Sequence, residues 1–96
     1  MKKDCDHPQP ITVELKVLNN LGLHARVAAR IAATVQQFDS QVVFSKGQVE
    51  AEGDSVLSIL TLDAPMGSTL QVSARGPQAQ EVLSVLEKLF ASRFGD

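Results

Sequence analysis

Residues 11–36, ITVELKVLNNLGLHARVAARIAATVQ, change their apolar period part-way, and that change decides the fold. In residues 11–17, Ile11, Val13, Leu15 and Val17 alternate with Thr12, Glu14 and Lys16, the two-residue period of a half-buried strand. LNNLG, residues 18–22, is turn chemistry, because asparagine and glycine both tolerate left-handed φ. From Ala25 onward Val27, Ala28, Ile31, Ala32 and Val35 recur at helical spacing, which predicts a helix ending near QQFDS at residues 36–40.

The flanking sequence continues the pattern. QVVFSKGQVEAE, residues 41–52, predicts two short strands in a hairpin that turns at Lys46-Gly47. GDSVLSILTLDAPMGS, residues 53–68, starts with the cap-type pair Asp54-Ser55 and stops around Pro65 and Gly67, leaving one or two helical turns between. TLQVSA, residues 69–74, alternates through Leu70, Val72 and Ala74 as a fourth strand. GPQAQEVLSVLEKLFASRF, residues 76–94, predicts a last helix with Pro77 near its start, Val82, Leu86, Leu89 and Phe90 inward, and Gly95 beyond its end. The order βαββαβα implies an α+β fold: a four-stranded antiparallel sheet with three helices on one face. Pro8 and Pro10 interrupt pairing and set off a flexible tail, residues 1–10, from a single domain, residues 11–96.

Bulk composition excludes several classes. The 96 residues suffice for one compact domain, and 44% apolar with 21% charged residues is ordinary for a soluble one. A net charge of −2 gives no basic footprint for nucleic acid, and four phenylalanines as the only aromatics provide no stacking platform for single strands. No apolar run approaches the roughly 18 residues of a membrane span, and MKKDCDHPQP lacks the apolar core of a secretory signal. The single cysteine, Cys5, cannot form an internal disulfide, which fits a cytoplasmic location. Cys5 and His7 are too few and too close together to hold a metal.

The candidate functional residue is His24, in GLHARVAARI at residues 22–31. A zinc site would need three or four ligands, and His24 has no cysteine or acidic neighbour to supply them. No nucleophile signature pairs a serine or cysteine with it. A neutral imidazole nitrogen, however, accepts a phosphoryl group directly near pH 7. The product carries about two negative charges. Those are stabilised by the first-turn N–H groups of a helix, here Ala25, Arg26 and Val27, and by the guanidinium fork of Arg26. Alanines at 25, 28 and 29 keep the surroundings low enough for a partner to approach. A histidine ahead of a helix is also a common surface or capping residue, and spacing by itself leaves both readings open.

GLHARVAARI together with GDSVLSILTLDAPMGS resembles HPr, the histidine phosphocarrier family of the bacterial phosphotransferase system, from about Ile11 to Phe94. FDSQVV, EAEGDSVLSILTLDAPMGS, QVSARGP and LFASRFGD look like its nitrogen-related branch, NPr. The resemblance implies an HPr-like open-faced β-sandwich and a monomeric cytoplasmic relay without a cofactor, metal or enzymatic turnover of its own. It implies that His24 is phosphorylated at Nδ1 by enzyme I, with Arg26 stabilising the phosphate, and that the group passes to an enzyme IIA-type protein. Ser55 matches a serine that is a regulatory phosphorylation site in some members, and a helix cap is the better reading of it here. Ala25, Ala29, Val56, Leu57 and Leu60 match the partner-docking patch. VLSILTL, residues 56–62, is apolar at five of seven positions, more than one buried stripe needs, and Ile59 and Leu62 are the expected core members.

Two features depart from most of the family. Val27 stands where proline usually follows the arginine, which loosens the helix start. Ala33, Gln36 and Ser58 stand where sugar-branch members often carry lysines, leaving Arg30 as the main other cation of the first helix. Partner choice set by charge should differ accordingly. The alternatives are a sugar-uptake HPr and a regulatory binding module that uses the same surface without phosphotransfer.

Overall fold

A computed structural model describes residues 9–95, so the tail with Cys5 and His7 lies almost wholly outside the described residues. The elements are β1 (Ile11–Lys16), α1 (Ala25–Gln36), β2 (Gln41–Lys46), β3 (Val49–Glu52), α2 (Val56–Leu60), β4 (Thr69–Arg75) and α3 (Ala79–Ala91), followed by a 3₁₀ turn at Arg93–Gly95. The order is the expected βαββαβα. The four strands form one antiparallel sheet in the order β1-β4-β2-β3.

Strand parity sorts the two faces. Val13 pairs with Val72, Val72 with Phe44 and Phe44 with Ala51, so one apolar row crosses the whole sheet beneath the helices. The opposite face is polar: the Thr12 and Ser73 hydroxyls lie 3.0 Å apart, and Gln71 Nε2 donates to Glu14 Oε2 at 3.0 Å. The helices cover the apolar face, α3 on β1 and β4, α2 against β3, and α1 against α2 and α3. Phe90 of α3 links the layers, with its ring 6.3 Å from Phe44 on the sheet and 4.9 Å from Phe94 in the 3₁₀ turn.

Val27, Ala28, Ile31, Ala32 and Val35 are the buried residues of α1, the stripe read from the sequence. Ile59 and Leu62 are both fully buried. Three details differ from expectation. The hairpin turns at Gly47-Gln48, because Lys46 still pairs with Val49; Gly47 takes φ 61 at the first central position, the placement typical of a type II′ turn. On α3, Leu83 is buried and Leu89 only half-buried, since the buried stripe centres on Ala79 and Leu86 and leaves Leu89 at its edge. Ala28 faces the core, so it does not lower the surface around His24; only Ala25 and Ala29 do.

The connection from β1 to α1 sets the position of the site. Val17 continues the alternation beyond β1, donating to Ser68 C=O at 2.9 Å and accepting from Gly67 N–H at 2.8 Å. Gly22 then takes φ 68, and a Cβ there would run into the Ala64 carbonyl and lie 2.9 Å from Pro65 Cα. Gly47 also has positive φ but faces open space. Gly22→Ala should therefore cost about 3 kcal/mol, from left-handed strain plus overpacking, and Gly47→Ala about 1 kcal/mol from strain alone. Urea denaturation of both variants checks this; equal losses would show that the backbone approach at Gly22 is not tight.

Candidate functional site

His24 is the N-cap of α1, with φ −80 and ψ 178, and its side chain makes no capping hydrogen bond. The helical ladder begins with Ala28 N–H donating to His24 C=O at 2.9 Å. The amides of residues 25 to 27 therefore precede the ladder, at the positive end of the helix dipole. The ring is half-buried, and its Nε2 is shut off from solvent.

Several hydrogen bonds hold this helix mouth in place. Asn19, 1% exposed, donates from Nδ2 to Gly22 C=O at 2.6 Å, and Gly22 N–H returns a bond to Asn19 C=O at 3.1 Å. Leu23 is buried, and its N–H donates to Ala64 C=O at 3.0 Å, which ties the residues ahead of α1 to the segment after α2. His24 thereby lines an open depression of about 540 Å³ with Leu21, Leu23, Lys46, Leu60, Asp63, Ala64 and Pro65. Lys46 Nζ donates to Asp63 C=O at 2.6 Å, which fixes an ammonium on the wall of that depression.

Arg26 is exposed and lines an adjoining cleft of about 240 Å³ with Asn19, Asn20, Leu21 and Arg93. The two depressions share Leu21, which is 76% exposed. Ala25 and Ala29 lie exposed on α1. On α2, Leu57 is 78% exposed while Val56 and Leu60 are half-buried against the core. Leu60 stands at the His24 end of α2. At the other end, Gln36 Nε2 donates to Asp54 C=O at 2.9 Å, placing Ser55 near the far end of α1. Ser55 is the N-cap of α2, its Oγ accepting from Ser58 N–H at 3.2 Å.

Sequence reasoning missed Leu21, Lys46 and Arg93. An apolar residue inside a turn was the available signal for Leu21. Lys46 and Arg93 reach the site only through tertiary packing. Among the described residues no group of three or more His, Cys, Asp or Glu side chains converges as a metal site, and no helix is long and apolar enough to cross a membrane.

The two-layer α+β domain presents a histidine at a helix mouth with an arginine two residues on, an arrangement of donors and positive charge suited to an anionic group. The family model described as PTS-HPr, PTS HPr component phosphorylation site, matches residues 11–92. Phosphocarrier protein NPr of Escherichia coli K12 is 37% identical over 83 residues, covering 85% of this chain and 92% of its own. Phosphocarrier protein HPr of Cupriavidus necator is 36% identical over 80 residues, covering 83% and 90%. The crystal structure of HPr-C-His from Thermoanaerobacter tengcongensis superposes with a TM-score of 0.86 at 31% identity, covering 90% of this chain and 97% of that one. The chain belongs to the HPr family of phosphocarrier proteins of the phosphotransferase system, and its fold is that family's open-faced β-sandwich.

The burial pattern of α2 separates core from surface within one short helix. Ile59→Ala should lower stability by about 2–5 kcal/mol, whereas Leu57→Ala should stay within about 0.5 kcal/mol. Chemical denaturation distinguishes them; a comparable loss at Leu57 would make it a structural residue.

Proposed function

We propose that this chain is a cytoplasmic phosphoryl relay of the nitrogen-related branch, acting as a monomer through a domain spanning residues 11–96. In the first step His24 Nδ1 attacks the phosphorus of a phosphohistidine on enzyme I. A new N–P bond forms as the donor's N–P bond breaks, and the donor imidazole leaves with the electron pair. In the second step a histidine of an enzyme IIA-type protein repeats the displacement on His24. The protein turns nothing over and needs no cofactor; it holds the group between two exchanges.

The observation that carries this reading is the state of His24 at the N-cap of α1. Its side chain makes no capping hydrogen bond, and with Nε2 closed to solvent Nδ1 is the ring nitrogen to which we assign the phosphoryl group. The dianion so formed meets the amides of Ala25, Arg26 and Val27, the helix dipole, and the guanidinium of Arg26. Ala25, Ala29, Leu57 and the exposed parts of Val56 and Leu60 make the docking patch, and the small side chains next to His24 let a partner's active site close over it. Ser55 is used as a helix cap, and we assign it no regulatory phosphorylation. The NPr likeness, with Ala33, Gln36 and Ser58 in place of a lysine-rich rim, favours a nitrogen-type enzyme I and its IIA partner over a sugar system.

Incubation with phosphoenolpyruvate and nitrogen-type enzyme I should give an acid-labile, base-stable phosphate that His24→Ala abolishes. A wild-type protein that never acquires such a phosphate overturns the relay. Arg26→Ala should keep the fold and slow transfer by roughly tenfold or more, the value of one charge-assisted hydrogen bond; an unchanged rate would remove Arg26 from the mechanism. Leu57→Lys should weaken transfer to both partners without lowering Tm, and nitrogen-type IIA should accept the group faster than sugar-type IIA. The reverse order would move the chain to the sugar branch.

A further inference from the structure

Lys46 interrupts the apolar parity of β2. Val42 and Phe44 are buried on the helix-covered face, and the same parity places Lys46 there, where β2 turns into β3. A lysine on the core side of a strand lays its stem along apolar surface and carries its ammonium to a polar partner at the edge. Here the side chain is half-buried, and Nζ donates to Asp63 C=O at 2.6 Å.

The residue that receives this bond is strained. Asp63 takes φ 48, a left-handed conformation disfavoured for residues other than glycine. It follows α2 in the manner of an αL cap, with its N–H donating to Leu60 C=O at 3.2 Å. The next carbonyl, that of Ala64, accepts from Leu23 N–H at 3.0 Å, and Leu23 directly precedes His24. Lys46 is thus linked to His24 through two hydrogen bonds and the peptide chain alone, and Lys46, Asp63, Ala64, Leu23 and His24 all line one depression. Packing of α1 on α2 relates the two helices, whereas these contacts relate the turn after α2 to the residue ahead of α1.

We propose that Lys46 is a positioning residue for phosphoryl transfer: its bond to Asp63 C=O latches the left-handed turn, which keeps the Ala64 carbonyl on Leu23 N–H and so steadies His24 at the mouth of α1. Lys46 acts through the backbone, not by bonding to the reacting nitrogen. A change of φ at Asp63 swings that residue's own carbonyl, so the turn relaxes only by giving up the ammonium. The inference rests on the relay reading and deepens it, since it names what keeps the acceptor histidine in place between two exchanges.

The first readout needs no phosphate. In Lys46→Met, amide hydrogen exchange of the resting protein should quicken about tenfold at Leu23, while Val72 in the middle of the sheet stays as it was. A general loss of stability would quicken both, and an unchanged Leu23 overturns the latch. The second readout is phosphorylation by enzyme I and phosphoenolpyruvate, which Lys46→Met should slow about threefold or more and Lys46→Arg should largely restore. Two double variants separate geometry from charge. Lys46→Met with Asp63→Gly and Lys46→Met with Asp63→Ala lose the same two charges, but only glycine takes a left-handed φ without strain. The glycine pair should recover both readouts in large part, and the alanine pair should recover neither. Equal recovery by the two pairs, or recovery by neither, overturns the latch and leaves the relay intact. A wild-type chain that takes no phosphate overturns the relay, and the role of Lys46 in transfer falls with it.

Discussion

The site depends on one close backbone approach, between Gly22 and the Ala64–Pro65 segment. Gly22 takes a left-handed φ with no room for a Cβ, and the next residue donates its N–H to Ala64 C=O. This contact joins the residues that start α1 to those that follow α2, two segments far apart in sequence. Together with the packing of α1 on α2, it holds the first turn of α1 against Leu60, Asp63 and Pro65, which form the opposite wall of the His24 depression. Asn19 secures the same turn from within, at the cost of burying an amide whose oxygen accepts no hydrogen bond among the described residues. The position of the histidine is thus set by backbone geometry, and its own side chain contributes no cap.

The layers above and below that contact were legible because each followed a strict period. β1 and β4 alternate at two residues and α1 repeats at helical spacing, so period alone told Leu15, Leu70 and Ile31 from Glu14, Gln71 and Arg30. Legibility failed where period gives no information. The hairpin loop moved by one residue because Lys46 looks like a turn residue and yet pairs with Val49. The inward position of Ala28 was visible in the stripe, but its small size invited a surface role that the stripe contradicts. His24 and Arg26 were legible as neighbours in sequence. Lys46 and Arg93 were not, because hydrogen bonding to Asp63 C=O and the anchoring of Phe94 are tertiary facts with no local signature.

The division of the surface follows from the same layering. The outer sheet face is covered by paired polar side chains such as Thr12 with Ser73 and Gln71 with Glu14, which leave little apolar area for a partner. Large apolar side chains stand exposed on the helical side, at Leu21 in the loop before α1, Leu57 on α2 and Met66 after Pro65. Two of these, Leu21 and Met66, belong to or directly follow the segments that build the His24 depression.

Val27 bears on how tightly a group at the helix mouth is held. Proline, the family's usual residue there, pre-sets φ and has no amide hydrogen. Val27 is completely buried, so it meets the packing demand as an apolar residue, but it keeps an N–H ahead of the helical ladder. In the resting protein that amide is a cost, since no helical carbonyl lies in reach of it. Under the proposed relay role the phosphoryl oxygens meet three such amides where a proline-bearing relative offers two. A relay must bind its cargo strongly enough to accept it and weakly enough to give it up. Under that role an added donor moves the balance toward holding, and the small side chains of Ala25 and Ala29 move it back by letting an acceptor reach the phosphorus directly. Valine at position 27 is therefore a change in the strength of the hold and leaves the chemistry of His24 as it is.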